Sequence, residues 1–174
     1  MPDRRRVLGV LGIGAAAAVS GAILSARLSR EPDEIAILHG AQVTDLAGKR
    51  RNLLEWQGQV LVLNFWATWC EPCREEIPGF MQVRERLRRS GVEFVGIAID
   101  QAAKVAHFAQ TLNVSYPLLL AEASGLDLMR KLGNPSGGLP FTVIIGRTGG
   151  LVFRNLGALS KQIIEAKLLS LIGA

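Results

Sequence analysis

The chain has 174 residues, enough for one domain with a sizeable core. Its net charge is +5, but five arginines and a single acid fall within residues 1–30, so the remainder is close to neutral and a nucleic-acid surface is not expected. The only cysteines, Cys70 and Cys73, sit inside one four-residue motif, which excludes a long-range disulfide framework within the chain.

At the N-terminus, Arg4, Arg5 and Arg6 precede an uncharged run from Val7 to Ala26, the positive and apolar regions of an export signal. "DRRRVLG" resembles a twin-arginine signal, with Asp3 where that pattern has Ser or Thr and Val7 where it has Phe. Ser20-Gly21-Ala22 offers a small-residue cleavage site. A run of this length also suffices to span a bilayer, which takes about 20 residues. Arginines held in the cytoplasm would leave the rest of the chain facing outward. The expected organisation is a signal or anchor over 1–30, with a retained anchor preferred, a linker over 31–37, and one domain over 38–174.

"AQVTDLAGKRRNLLEWQGQ" reads as short extended segments with a turn at Ala47-Gly48. "VLVLNFWA" (Val60 to Ala67) is a continuous apolar run suited to a strand buried on both faces. "CEPCREEIPGFMQVRERLRRS" reads as a long helix ending before Gly91, with "RERLRR" (Arg84 to Arg89) as its solvated face. "VEFVGIAI" is a second buried strand, "AAKVAHFAQTLN" a helix closed near Asn113, and "YPLLLA" a short strand. "SGLDLMRKLG" is a helix with Ser124 as candidate N-cap and Gly133 as its stop. "GNPSGG" reads as a flexible loop. "LPFTVIIG" and "LVFRNLGAL" form a hairpin about Thr148-Gly149-Gly150, and a last amphipathic helix buries Ile163, Ile164, Leu168 and Leu171. Strands alternating with helices, then a hairpin and helix, predict an α/β domain with a mixed sheet.

Cys70 falls just past a buried strand and at the start of a helix. Unpaired N–H groups and the helix dipole stabilise an anion there, so Cys70 is expected to be the more acidic, attacking thiol. Cys73, one turn further in, is the shielded resolving thiol. Pro72 suits the first turn. Glu71 adds negative charge beside the thiols, which opposes thiolate formation and makes the couple more reducing. Glu76, three residues after Cys73, either relays a proton from the shielded thiol or, like Glu75, complements the helix dipole.

Two other uses of the thiols are weaker. A disulfide across so short a loop constrains little of the unfolded chain. A zinc site needs four ligands, and only His39 and His107 are at hand. Leu139-Pro140 opens a strand, where proline is tolerated. A cis bond there, packed against the thiols, is the sharper alternative, although only about 5–6% of X–Pro bonds are cis.

With "NFWATWCEPCREEIP", "GVEFVGIAID", "YPLLL" and "GLPFTVIIGRTGGLV", the chain resembles the thioredoxin superfamily. Within it, the chain is similar to the TlpA/ResA/CcmG-like (DsbE-like) branch over about Leu38 to Ile172. The resemblance implies a thioredoxin fold: a mixed central sheet flanked by helices, an N-terminal hairpin, and an inserted helix and strand over Lys104 to Ala121. It implies a cis Pro140 facing the CxxC and a client groove in which Leu139 offers backbone hydrogen bonds, beside Trp69, Glu71 and Pro72. Pro78 matches the family's helix-kinking proline, and Trp66 is expected mainly to pack in the core. Glu76 matches the functional glutamate of the ResA-like branch. Asn64 stands where cytoplasmic thioredoxins bury an Asp, and Phe141 where many relatives have Thr.

The expected activity is thiol–disulfide exchange outside the cytoplasmic membrane, reducing disulfides in exported clients such as apocytochrome c or copper-site assembly proteins. The usual electron donor of such proteins is a membrane thiol transporter of the DsbD/CcdA type. No bound cofactor is expected. The alternatives are a peroxiredoxin-type thiol peroxidase, whose Pro-x-x-x-Thr/Ser approach to the cysteine is absent here, and a thiol-based metal-binding or holdase module.

Overall fold

A computed structural model describes residues 34–121 and 123–173. The signal or anchor expected over 1–30 lies outside the described residues, as do residues 31–33 of the linker. Residues 34–37 of that linker fall in a helix, α1 (Glu34–His39), which buries Leu38 beneath the domain's apolar face. Among the described residues no helix is long and apolar enough to cross a membrane.

Strands β1 (Val43–Asp45) and β2 (Arg50–Arg51) pair antiparallel, as expected of the N-terminal hairpin. The Asp45 carboxylate accepts from the N–H groups of Ala47 and Lys49 and shapes the turn between them. Leu53–Trp56, read from sequence as extended, is instead a 3-10 turn. Asn52 caps it, and Glu55 reaches back to the Asn52 N–H, so the two side chains satisfy each other's backbone donors.

Next come β3 (Val60–Trp66), helix α2 (Glu71–Leu87) and β4 (Val92–Ala98). Gly91, at φ 79°, ends the helical stretch in a left-handed conformation that side chains other than Asn or Asp rarely adopt. Helix α3 (Ala102–Leu112) stops at Asn113, also left-handed, and leads to β5 (Leu118–Leu120). Helix α4 (Ser124–Lys131), the hairpin β6 (Phe141–Ile145) and β7 (Leu151–Leu156), and helix α5 (Lys161–Ile172) complete the domain.

The seven strands form one mixed sheet in the order β2-β1-β5-β4-β3-β6-β7. β3 is an interior strand, parallel to β4 and antiparallel to β6. Its seven residues are all buried, because successive side chains feed opposite cores. Leu61, Leu63 and Phe65 join α1, the 3-10 turn and α4. Val60, Val62 and Trp66 join α2, α3 and α5, together with Cys70 and Cys73. Gly96 on β4 leaves room for Trp66: a Cβ there would meet the Leu118 side chain at 2.6 Å and the Trp66 ring nitrogen at 3.1 Å.

Four local readings change. Ser124 does not cap α4; its hydroxyl donates to the carbonyls of Gln42 and Ala121, tying the helix start to β1's approach. "RERLRR" is not wholly a solvated face, because Arg84 is mostly buried and donates through Nε and Nη2 to the two carboxylate oxygens of Glu93 on β4. Ile163 points outward, while Ile164 and Leu168 enter the core as expected. "GNPSGG" is braced from within: buried Asn134 donates to the Gly138 carbonyl and accepts from the Ser136 hydroxyl.

Candidate functional site

β3 delivers the chain to the C-terminal edge of the sheet at Trp66. There Ala67–Cys70 forms a turn closed by the Cys70 N–H donating to the Ala67 carbonyl. Cys70 is the N-cap residue of α2, with extended backbone (φ −89°, ψ 103°) and no capping side-chain hydrogen bond. Its sulfur thus stands at the helix's positive end, where a thiolate is stabilised. Pro72 follows in the first turn, where its missing N–H costs no helical hydrogen bond.

Cys70 and Cys73 are joined by a disulfide, with Cα atoms 5.3 Å apart. The two ends of the bond differ in access: Cys70 is 6% exposed and Cys73 is fully buried. Trp69, at 67%, is the most exposed large apolar residue among those described, and Glu71 and Pro72 are exposed beside it. Trp66, by contrast, is fully buried, packing on Phe108 with ring centroids 4.9 Å apart.

The Leu139–Pro140 peptide bond is cis. Pro140 is buried, and Leu139 is half-buried against the core that holds both cysteines. Phe141 pairs with Phe65 on β3, so the register sets Pro140 opposite Trp66, at the edge from which the cysteine turn leaves.

Glu76 lies one turn beyond Cys73 and is 7% exposed. Its Oε1 accepts from Asn64 Nδ2 at 2.8 Å and its Oε2 from the Leu159 N–H at 3.0 Å. Asn64 also donates to the Thr142 hydroxyl at 3.1 Å, so one polar cluster ties α2 to β3, β6 and the entry to α5. Burial pushes the Glu76 carboxyl up to about 7, against the lowering pull of the Leu159 and Asn64 hydrogen bonds. A carboxyl with its midpoint there can gain or lose a proton at neutral pH. Tyr116 lies in the same core with its hydroxyl buried and unpartnered, and burial together with the nearby Glu76 charge pushes its phenol well up.

The sequence reading did not single out Asp100. Its carboxylate accepts from the N–H of Thr68 at 2.9 Å, from the Thr68 hydroxyl, and from the Gln101 N–H at 2.7 Å. Only its position at the end of a buried strand, level with the end of β3, could have drawn attention to it. Among the described residues no group of three or more His, Cys, Asp or Glu is placed to hold a metal, and His39 and His107 are exposed.

Residues 38–154 match the model of the AhpC/TSA family. The chain is 30% identical over 128 residues to a thiol-disulfide oxidoreductase ResA of Bacillus cereus, covering 72% of this chain and 71% of that protein. It is 29% identical over 144 residues to the thioredoxin-like protein YneN of Bacillus subtilis, covering 78% and 81%. A thiol:disulfide interchange protein of the thioredoxin family from Chlorobium tepidum superposes with a TM-score of 0.65 at 29% identity, over 76% of this chain and 95% of that one. With a dithiol pair closed at the head of a helix and this company of relatives, the chain belongs to the AhpC/TSA family of thioredoxin-fold proteins and is a thiol–disulfide oxidoreductase of the ResA/DsbE branch.

Proposed function

We propose that the protein reduces disulfides in exported client proteins, with Cys70 as the attacking thiol. The Cys70 thiolate attacks one client sulfur, and the other client sulfur leaves as a thiolate that takes up a proton. Cys73 then gives its proton away and attacks Cys70. The reduced client departs, and two electrons have passed from the dithiol to the client disulfide. The observation that carries this order is the asymmetry of the pair: Cys70 sits at the helix N-terminus and Cys73 is sealed behind it.

Glu76 supplies what a sealed thiol lacks, which is a base to take its proton. Buried one turn from Cys73, its carboxylate accepts that proton when the mixed disulfide is resolved and returns it on re-reduction. Trp69, Glu71 and Pro72 form one wall of the face a client meets, and Leu139 and Pro140 form the other. The backbone of Leu139 offers hydrogen bonds to an extended client segment.

The N-terminal segment over 1–30 would put this chemistry on the outer side of the cytoplasmic membrane, as an anchor or a cleaved signal, ahead of the domain over 38–174. Reduction in that compartment draws on electrons from inside the cell, for which a membrane thiol transporter of the DsbD/CcdA type is the donor proposed. Apocytochrome c and copper-site assembly proteins are the client classes proposed.

The AhpC/TSA match favours one second reading, peroxide reduction at Cys70. The approach to Cys70, Asn64 to Trp69, lacks the Pro-x-x-x-Thr/Ser pattern, and this ranks it behind disulfide reduction. Purified full-length protein decides between them when supplied with a small dithiol and either insulin or hydrogen peroxide. Catalysed insulin reduction with peroxide consumed no faster than by the dithiol alone supports the proposal. Peroxide turnover that outruns insulin reduction overturns it.

A further inference from the structure

The turn that presents Cys70 has a brace from outside the cysteine motif. Ala67–Cys70 is a four-residue turn, with Thr68 and Trp69 at its two central positions. β3 ends at Trp66, and β4 runs parallel to it, so Ile99 and Asp100 emerge alongside. The Ile99 N–H donates to the Trp66 carbonyl, which pins the two strand ends together. Asp100 then reaches across 32 positions of sequence and takes both the N–H and the hydroxyl of Thr68 on one oxygen, Oδ2. From the other side, Arg74 in the first turns of α2 donates to the Thr68 carbonyl at 3.3 Å. Thr68 is therefore hydrogen-bonded at every polar atom, through its N–H and hydroxyl to Asp100 and through its carbonyl to Arg74.

The carboxylate is suited to this. Burial raises the Asp100 carboxyl, but hydrogen bonds from Thr68 and Gln101 outweigh it and hold the group below its ordinary value, so it is an anion at neutral pH. Hydrogen bonds to an ionised acceptor are roughly twice as strong as neutral ones. A role confined to starting α3 does not account for the contacts: Oδ1 alone meets Gln101, while Oδ2 is committed to Thr68.

We propose that Asp100 is a positioning residue for thiol–disulfide exchange, clamping Thr68 so that Cys70 Sγ is aimed along the line of the client's sulfur–sulfur bond. The inference rests on Cys70 being the attacking thiol. Exchange needs the three sulfurs nearly in line, whereas alkylation by a small reagent needs only a free, ionised thiol. Loss of aim therefore slows the first reaction and spares the second. A mere nearby negative charge would act differently: removing it would favour the Cys70 thiolate and speed alkylation with no penalty to exchange.

The test measures both reactions on the full-length protein, with insulin as the disulfide and iodoacetamide as the alkylating reagent of the reduced enzyme. In Asp100→Ala, kcat for insulin reduction is expected to fall about tenfold or more, with KM and the alkylation rate changed less than about twofold. Thr68→Val, which keeps Asp100 and Gln101 in place, is expected to show the same split at smaller amplitude, and Thr68→Ser to restore the wild-type rate. If Asp100→Ala does not fold, the Thr68 pair decides alone. Insulin reduction within twofold of wild type in every folded variant overturns the proposal, and so does an equal loss in both reactions. Insulin reduction surviving in Cys70→Ser overturns this proposal together with the reading it rests on. Loss in Cys70→Ser with no split in the clamp variants overturns the clamp alone.

Discussion

The two cores on either side of β3 are built from one strand and differ in kind. One side, lined by Leu61, Leu63 and Phe65, packs against aliphatic residues of α1 and α4, with Asn134 at its margin. The other side, lined by Val60, Val62 and Trp66, holds the cysteines and also buries Asn64, Glu76 and Thr142. Buried polar groups cost stability unless fully paired, and Asn64 Oδ1, Trp66 Nε1 and Tyr116 OH are unpaired. Among the described residues of the two cores, the unpaired buried polar atoms lie on the side that holds the thiols, and that is where the fold gives up stability.

The largest effect expected on the apolar side is Leu63→Ala, which should cost about 2–5 kcal/mol in denaturant unfolding. Insulin reduction per folded molecule should stay near wild type, because Leu63 faces away from the thiols.

On the thiol side the effect should depend on pH. Unfolded Glu76 ionises near 4.5 and folded Glu76 near about 7, so between these values the folded protein keeps a proton that the unfolded chain has released. Stability from this group is complete below the lower value and is lost as pH rises through the upper one, on the order of 3 kcal/mol in all. Urea titrations of Glu76→Gln should lose that slope, and its mixed disulfide should resolve more slowly near neutral pH. An unchanged slope would remove Glu76 from the account.

Asn64→Ala is expected to cost about 1–3 kcal/mol, since it leaves Glu76 Oε1 and Thr142 short of a donor. It should also move the Glu76 midpoint upward, because the lost hydrogen bond was lowering it; carboxyl NMR or infrared titration reads this directly. Smallest in stability is Trp69→Ala, within about 0.5 kcal/mol at so exposed a site. Its effect should appear as a raised KM for protein disulfides, with small disulfides spared.

The same contrast explains what could be read in advance. β3, β4 and β6 were legible as unbroken apolar runs, and the cysteine pair, Pro72 and Glu76 as a spaced motif, because neighbours in sequence carry those signals. Asn113 and Gly91 were legible as stops because few residues accept a left-handed backbone. Asp100, the Arg84–Glu93 pair and the seat of Ser124 were not, because each acts on a partner brought near only by the sheet. Ile163 misled for a related reason: an apolar residue next to the buried stripe looks like part of it until the packing of α5 sets the helix's rotation.

The most direct measurement mixes reduced Cys73→Ser protein with an oxidised client and identifies the adduct by mass spectrometry. The account predicts a one-to-one mixed disulfide through Cys70 that persists, and none in Cys70→Ser. An adduct formed through Cys73 in the Cys70→Ser protein, or no adduct in either, would contradict it.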